Sequence, residues 1–227
     1  MNLKQNSQMQ VSKHEQGTTE WKAERHGSIG GTGLKDLMAN KPIEDLALFF
    51  RILGERSEDY VDEETFTNKA MERGTELEPD AVRDAEDYLG LKFESFGVCK
   101  RDDLPFNHCS PDGFTADLSV GIEVKCPEAA THVKYIYKDV LPDEYFWQCI
   151  SYFMINQKME TLHFVSYRPE NKNKPLFIKT IKRDAVLPFK IGKKIQELTA
   201  GEWSEFAEEK CGEFEEAITE ELLNQEF

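Results

Sequence analysis

Two acidic residues and one lysine in a central segment have the types and spacing that metal-assisted chemistry needs. Residues 121–126 alternate apolar and polar side chains, a pattern typical of a β-strand with one buried face. Glu123 and Lys125 therefore lie on the same face of this predicted strand. Asp112 precedes the strand closely enough for a β-hairpin to bring its carboxylate beside Glu123. Two carboxylates and one ammonium group would then share a small volume.

This group of side chains is suited to the hydrolysis of a phosphodiester. Carboxylate oxygens are hard ligands for Mg²⁺, which proteins usually hold with one or two carboxylates together with phosphate and water. A nearby lysine orients or deprotonates the attacking water and stabilises charge that develops on the phosphate. A Glu-x-Lys pair by itself is more often a solvated strand face with a weak ion pair. The prediction therefore depends on the combination with Asp112.

The elements that must position these residues are visible in the flanking sequence. Strands are predicted at residues 92–100, 160–168 and 175–182, around the hairpin at 106–127 with its Ser-Pro-Asp-Gly turn. Helical spacing of apolar residues predicts helices at 20–25, 34–39, 43–53, 68–89, 129–138 and 142–155. Pro79 is expected to kink or interrupt the fourth of these, and Asp184 to cap a long C-terminal helical region. This order of elements predicts an α/β (α+β) fold with helices on both faces of a sheet.

Length and composition limit the domain organisation and the location of the protein. With 227 residues, the chain is predicted to form one domain over residues 18–227, after a flexible polar leader at 1–17. No apolar run is long enough for a membrane span, and the N-terminus lacks a signal-peptide core. Five cysteines without a Cys-x-x-Cys spacing favour reduced thiols and a cytoplasmic protein, in the host cell if a phage encodes it.

The charge distribution is uneven, which matters for any nucleic-acid partner. The net charge of −15 opposes binding to DNA, whose partners usually present a basic surface. Residues 202–227, an acidic helical tail, contain most of the excess negative charge, whereas residues 168–194 are strongly basic. An acidic exterior with a local basic track is therefore compatible with DNA binding.

Residues 27–33 form a second region whose residue types suit the binding of a ligand. Four glycines follow Arg25 and leave backbone N–H groups free, and Thr32 is expected to cap the next helix. Backbone amides at a helix start beside an arginine can hold a phosphate group. The alternative is a flexible turn without a ligand.

The hairpin residues resemble a known nuclease family. Ser110-Pro111-Asp112-Gly113 followed by Gly-Ile-Glu-Val-Lys-Cys-Pro at 121–127 resembles the PD-(D/E)xK nuclease core. More narrowly, it resembles the lambda exonuclease-like (YqaJ-type viral recombinase) family, with a restriction-endonuclease-like core and a central mixed sheet. The resemblance implies Mg²⁺, or Mn²⁺ as a substitute, bound by Asp112, Glu123, Glu78 and the carbonyl of Val124. Lys125 is then the residue that positions water, and Glu76 is the alternative to Glu78.

The resemblance also extends to the flanking helices. Trp21, Arg25, Gly27, Ile29 and Thr32 resemble the family segment in which an arginine and a hydroxyl residue bind the 5′-phosphate of DNA.

The resemblance implies that Arg25 and Thr32 bind the 5′-phosphate, with Ser110 as the third candidate contact. Gln148 lies on a helix that touches DNA or the attacking water in this class, although Ile150 stands where the family tends to have a second glutamine. Thr131 replaces a family arginine, for which His132 or Lys134 are candidate substitutes.

The function implied by the resemblance is a 5′→3′ double-strand DNA exonuclease of phage-type homologous recombination. Such an enzyme releases 5′ mononucleotides and leaves 3′ single-stranded overhangs. Its implied partners are double-stranded DNA ends, two further copies in a homotrimeric ring, and a single-strand annealing recombinase, with no membrane. Two alternatives share the same core: a structure-specific or restriction-type endonuclease, and a non-catalytic protein that binds DNA ends.

Overall fold

The computed structural model describes residues 8–39, 41–62 and 69–225. The predicted helix start at Asn68, residues 1–7 of the predicted leader and the last two residues of the acidic tail lie outside these ranges. The elements in chain order are β1 Met9–Val11, α1 Thr19–Arg25, α2 Gly31–Leu37, α3 Ala47–Ser57, α4 Lys69–Leu89, β2 Cys99–Arg101, β3 Gly113–Phe114, β4 Val120–Lys125, α5 Ala129–Lys138, α6 Phe146–Ile155, β5 Thr161–Tyr167, β6 Leu176–Lys182, β7 Val186–Ile191, β8 Lys194–Thr199 and α7 Ala200–Gln225.

A four-stranded mixed sheet is the centre of the fold. Its order is β3-β4-β5-β6, with β4 and β5 parallel and the two outer pairs antiparallel. The parallel pair requires a crossover connection, which α5 and α6 supply. The predicted α/β fold with a central mixed sheet and flanking helices is thus confirmed. No helix in the described ranges is long and apolar enough to cross a membrane.

The two faces of β4 have different neighbours, as the alternation in sequence predicts. Ile122 and Val124 are buried in a small apolar cluster with Ala81 and Ala85 of α4. Glu123 faces the opposite side, where α6 is buried along nearly its whole length in the larger core. The strand therefore separates two cores and presents its polar residues to α6.

The hairpin of β3 and β4 forms, but its turn differs from the predicted one. Gly113 pairs with Ile122, so the Ser-Pro-Asp-Gly segment leads into β3 and does not make the turn. The chain reverses instead between the strands, where Leu118 has a φ of 63°. Asp117 stabilises this turn by accepting hydrogen bonds from Thr115 and Ser119. As a consequence, Asp112 lies at the open end of the hairpin.

Two predictions near the N-terminus and the first strand are wrong. Met9–Val11, in the expected flexible leader, pairs antiparallel with Cys99–Arg101 in a separate two-stranded sheet. The predicted strand at 92–100 is therefore reduced to its last residues, and Glu94 forms only a single bridge to Phe114. Gly97 permits a close approach of the N-terminal segment, since a Cβ there would lie 2.5 Å from the carbonyl oxygen of His14.

Pro79 lies inside α4 without interrupting it.

The C-terminal region contains a hairpin where a helix was predicted. Strands β7 and β8 pair directly after Asp184 and are joined through Gly192, whose φ of 59° suits a two-residue turn. Phe189 of this hairpin stacks on Phe146 with ring centroids 4.0 Å apart, which fixes the hairpin to α6. Only then does α7 begin, and Trp203 donates a 2.8 Å hydrogen bond from Nε1 to the carbonyl of Leu187. The prediction of a helix over residues 184–199 is therefore wrong.

Candidate active site

Asp112 and Glu123 meet at one end of the central sheet. The Oδ2 atom of Asp112 accepts a hydrogen bond of 2.6 Å from the backbone N–H of Val124. This bond fixes the Asp112 carboxylate against β4, next to Glu123. Glu123 is only 1% exposed. The structure therefore brings together the two carboxylates that the sequence pattern selected.

Three donors surround the carboxylate of Glu123. Lys125 forms an ion pair with it, Gln148 donates to Oε1 over 2.7 Å, and the hydroxyl of Tyr152 donates to Oε2. Gln148 and Tyr152 lie one turn apart on α6, so the helix presents both to β4. The structure places Ile150 in the core, away from this contact. Tyr152 was not predicted as a site residue, because aromatic residues at helical spacing usually belong to the core.

The charges in this cluster perturb one another. Burial, followed by the charges of Glu123 and Glu78, raises the pKa of Asp112 well above its ordinary value. Burial and the charge of Glu123 also raise the pKa of the half-buried Glu78, which lies on α4. Burial lowers the pKa of Lys125, but the charges of Glu123 and Asp112 outweigh it and raise the pKa above its ordinary value. The ion pair with Glu123 holds Lys125 as a cation at the site, where it is suited to orienting water.

The donor set fits a divalent cation held partly by non-protein ligands. Within the described ranges, no three His, Cys, Asp or Glu side chains form a ready-made metal cage. Mg²⁺ does not need one, because one or two carboxylates with phosphate and water suffice. Three mutually repelling carboxylates face a single lysine here, which favours a further positive charge. Asp112, Glu123, Glu78 and the carbonyl of Val124 are the candidate ligands.

A group of basic side chains lies beside this acidic cluster. The guanidinium of Arg25 stacks on the ring of Trp21 at 3.9 Å. Burial lowers the pKa of Arg25, the phenol of Tyr152 partly offsets this effect, and the charge of Arg51 adds to it. Tyr152 contacts Glu123, so the arginine and the carboxylates are neighbours across one tyrosine.

The glycine-rich loop is pressed between the hairpin and α6. Ile29 bridges to Asn107, with hydrogen bonds of 2.7 and 3.0 Å that join this loop to the segment before Ser110. A Cβ at Gly31 would lie 2.8 Å from Ser151 Oγ and 3.0 Å from Gln148 Cγ. The loop therefore adjoins the helix that carries Gln148, which a freely flexible turn would not do.

Thr32 does not have its predicted capping role, whereas nothing in the structure contradicts the contact expected of Ser110. Gly30 is the N-cap of α2, so Thr32 lies exposed within the first helical turn and does not cap it. Ser110 Oγ is buried and has no hydrogen-bond partner within residues 8–39, 41–62 and 69–225. The carbonyl of Ser110 accepts from Tyr152 over 3.4 Å, which places this serine at the boundary of the acidic and basic groups.

The candidate substitutes for the family arginine at Thr131 lie elsewhere. His132 is fully buried, and its ring nitrogens contact Ser166 Oγ at 2.7 Å and the carbonyl of Lys174 at 2.9 Å. Lys134 lines a small cleft with Tyr135 and neighbouring residues, away from the contacts of Glu123. The structure therefore does not bring either side chain into the cluster.

Known proteins share this arrangement of elements. A family model for the YqaJ-like viral recombinase domain matches residues 20–159. The chain is similar in structure to an alkaline exonuclease (LHK-Exo) from Laribacter hongkongensis, with 23% sequence identity, a TM-score of 0.72, and coverage of 91% of this chain and 95% of that chain. LHK-Exo in complex with dAMP gives a TM-score of 0.74 at the same identity and coverage. A phage-related exonuclease from Haemophilus somnus 129PT is 13% identical, with a TM-score of 0.59 and coverage of 88% and 96%. A search among curated proteins gives no match.

Proposed function

The chain belongs to the YqaJ-like viral recombinase family, and from this premise we propose that it is a Mg²⁺-dependent exonuclease acting 5′→3′ on double-stranded DNA. Membership confirms the resemblance drawn from residues 110–113 and 121–127. The observation that supports the activity most directly is the bond from Val124 N–H to Asp112, which joins two carboxylates beside Lys125. Exonuclease folds in two solved structures support the same reaction class.

The residues of the site have separable roles in this proposal. Asp112, Glu123, Glu78 and the Val124 carbonyl would hold Mg²⁺, with Mn²⁺ as a substitute. When bound, the metal polarises the scissile phosphate and lowers the pKa of a water molecule. Lys125, which pairs with Glu123, would orient that water. Gln148 and Tyr152 hold Glu123 in one orientation through their two hydrogen bonds.

The proposed polarity follows from the basic group beside the metal ligands. Arg25, with Thr32 and Ser110 as the further expected contacts, would bind the 5′-phosphate of the strand end while the adjacent phosphodiester lies over Asp112 and Glu123. Cleavage of the phosphodiester next to a bound 5′-phosphate would release 5′ mononucleotides and leave a 3′ overhang. The neighbour bound to dAMP, a deoxynucleoside monophosphate, supports a product of this size.

Assembly into a ring of three copies is a further part of the proposal. A chain with a net charge of −15 is repelled by DNA unless its basic residues face the duplex together. The exposed tip of the β7–β8 hairpin, with Lys193 and Lys194, is our candidate for this lining. Arg183 is not, because its guanidinium donates to the carbonyls of Met159, Phe153 and Asn156. A single-strand annealing recombinase would then take up the 3′ overhang.

One substrate comparison tests the function. Linear duplex with 5′-phosphate ends should be digested faster than duplex with 5′-hydroxyl ends, and EDTA should stop both reactions. Equal rates on the two ends, or rapid cutting of covalently closed circles, would instead favour an endonuclease. Binding of linear ends without digestion at any Mg²⁺ or Mn²⁺ concentration would favour a non-catalytic end-binding protein.

A further inference from the structure

His108 is a buried histidine whose two ring nitrogens have different partners next to Arg25. The Nε2 atom accepts a hydrogen bond of 3.1 Å from Arg25 Nε. The Nδ1 atom lies 2.7 Å from the hydroxyl oxygen of Ser28. Sequence patterns did not reveal this residue, because the contacts join positions that are 80 and 83 residues apart.

The hydrogen bonds determine the tautomer of His108. The hydroxyl of Ser28 donates its single proton to the carbonyl of Arg25 over 2.8 Å, so it must accept from His108. Nδ1 therefore carries the proton, and Nε2 is left with the lone pair that Arg25 Nε–H requires. Burial and the charges of Arg25, Lys100 and Arg51 lower the pKa of His108 well below its ordinary value, which keeps the ring neutral.

The backbone holds the ring of His108 in place. Its N–H donates to the carbonyl of Ile29 over 3.0 Å, at the bridge between the glycine-rich loop and the hairpin. A Cβ at Gly30 would lie only 2.8 Å from Nε2, so the absence of a side chain there lets the loop pass directly over the ring. The position of the imidazole is thus set from both sides.

A neutral partner leaves the charge of Arg25 for a ligand. Within the described residues, Nε is the only guanidinium nitrogen of Arg25 that forms a hydrogen bond, and no carboxylate lies within ion-pair distance of the guanidinium. The two terminal nitrogens carry four further N–H donors in a planar fork that matches the oxygens of a phosphate. A carboxylate in place of His108 would neutralise the arginine and compete with that ligand.

We propose that His108 is a positioning residue that orients Arg25 toward the terminal 5′-phosphate of DNA through its Nε2 lone pair. This inference rests on the proposed function, in which Arg25 binds that phosphate. His108 does not touch the substrate and acts only through the arginine. Its contribution is therefore to the preference for phosphorylated ends and not to hydrolysis itself.

Two substitutions separate positioning from structural support. His108→Gln places an acceptor near the position of Nε2 and keeps the contact with Arg25, whereas His108→Asn places its amide near Nδ1 and loses that contact. His132→Asn is the matched control, because His132 is also buried, with one serine hydroxyl and one carbonyl as partners. If the preference for the phosphate end fell only because of lost stability, it would fall in both His108→Asn and His132→Asn.

The test measures binding and digestion separately. Fluorescence anisotropy in EDTA gives the affinity for a short duplex with a 5′-phosphate or a 5′-hydroxyl end, and rates with Mg²⁺ are measured on the same duplexes. We expect His108→Asn to lower the preference for the phosphate end by about tenfold, with hydroxyl-end rates unchanged. His108→Gln and His132→Asn should both retain the wild-type preference.

The possible results distinguish this inference from the proposed function. A wild-type protein without any preference for the phosphate end would overturn both. A wild-type preference that His108→Asn and His108→Gln reduce equally, or that His132→Asn also reduces, would overturn only the role of His108. A preference that survives His108→Asn would likewise leave Arg25 in the pocket without the histidine.

Discussion

The acidic cluster of Asp112, Glu123 and Glu78 and the basic pocket around Arg25 meet at Tyr152, and in both regions burial works against the charged form. In the acidic cluster, Asp112, Glu123 and Glu78 repel one another. The pKa values of Asp112 and Glu78 are raised, which favours the neutral form of each carboxyl group. In the basic pocket, burial and the charge of Arg51 lower the pKa of Arg25, which also favours the neutral form of the side chain. Each region is therefore stabilised by a ligand of the opposite sign.

The difference lies in what the chain itself supplies. The acidic cluster includes its own cation, Lys125, which pairs with Glu123 and lies 5.2 Å from the ring of Tyr145. The basic pocket has the neutral His108 at the corresponding place beside Arg25. A partly neutralised acidic site suits a metal that must also bind substrate and water. A basic site without a carboxylate suits a phosphate that must bind and then leave.

Removing the acidic cluster should have the largest effect. Asp112→Asn, Glu123→Gln and Lys125→Ala should each lower kcat by at least about a hundredfold, because a ligand or water-orienting group acts in the reaction itself. Circular dichroism should stay unchanged for Asp112→Asn and Glu123→Gln, since Asn and Gln preserve the shapes of the buried side chains, and it checks the fold of Lys125→Ala, which removes the cation beside Glu123. Near-normal turnover in any of the three variants would remove that residue from the site.

Glu78 and Glu76 provide a graded test within the same region. Both lie on α4, but Glu78 is half-buried and electrostatically linked to Glu123, whereas Glu76 is exposed. Glu78→Gln should raise the Mg²⁺ concentration for half-maximal activity by about tenfold, and Glu76→Gln should leave it unchanged. The opposite result would identify Glu76 as the metal ligand in place of Glu78. Isothermal titration with Mg²⁺ in the absence of DNA checks the effect independently of turnover.

Arg25→Ala should weaken only the basic side of the comparison. The charge-assisted contact with the 5′-phosphate disappears, so digestion of phosphorylated ends should slow by about tenfold while hydroxyl ends are digested as before. Arg83→Ala is the control, because Arg83 is an exposed arginine paired with Asp80 on α4. If both substrates slow equally, Arg25 supports the fold or the metal site and not end recognition.

Charge reversal at the hairpin tip should have the smallest effect. Lys193→Glu with Lys194→Glu should shorten the tract digested per binding event by about two- to threefold at low salt, because it weakens remote contacts with the duplex. Initial rates should change less than tract length. A strictly monomeric protein by native mass spectrometry, or unchanged tract length, would show that these lysines only interact with solvent.

The candidate site was largely predictable because its main features are local in sequence. Asp112 and Val124 are 12 residues apart, and the alternation along β4 places Glu123 and Lys125 on one face without any knowledge of the fold. The partners that complete the site come from distant segments. Tyr152 and His108 resemble ordinary core residues in sequence, and only tertiary packing distinguishes them from that background.

The fold predictions failed where local signals conflict. Residues 186–199 contain lysines and leucines that suit a helix, but they also alternate around Gly192, and the packing of Phe189 on Phe146 favours the hairpin. The leader is mostly polar, so its composition does not reveal that Met9–Val11 pairs with Cys99–Arg101 or that Met9 packs against the larger core. Both failures concern backbone pairing that is stabilised by tertiary contacts.

The contacts that bury Glu123 also set an order in which the chain can fold. The hairpin bond to Asp112 closes 12 residues, whereas the contacts from Gln148 and Tyr152 close 25 and 29 and require α6 to be docked. Shorter loops lose less chain entropy on closure, so the hairpin is expected to form before its cover. Until then both carboxylates stay hydrated and repel each other weakly. The strong repulsion between the two buried carboxylates therefore develops only in the last steps of folding. A partly folded molecule that already contains the hairpin is not yet a nuclease.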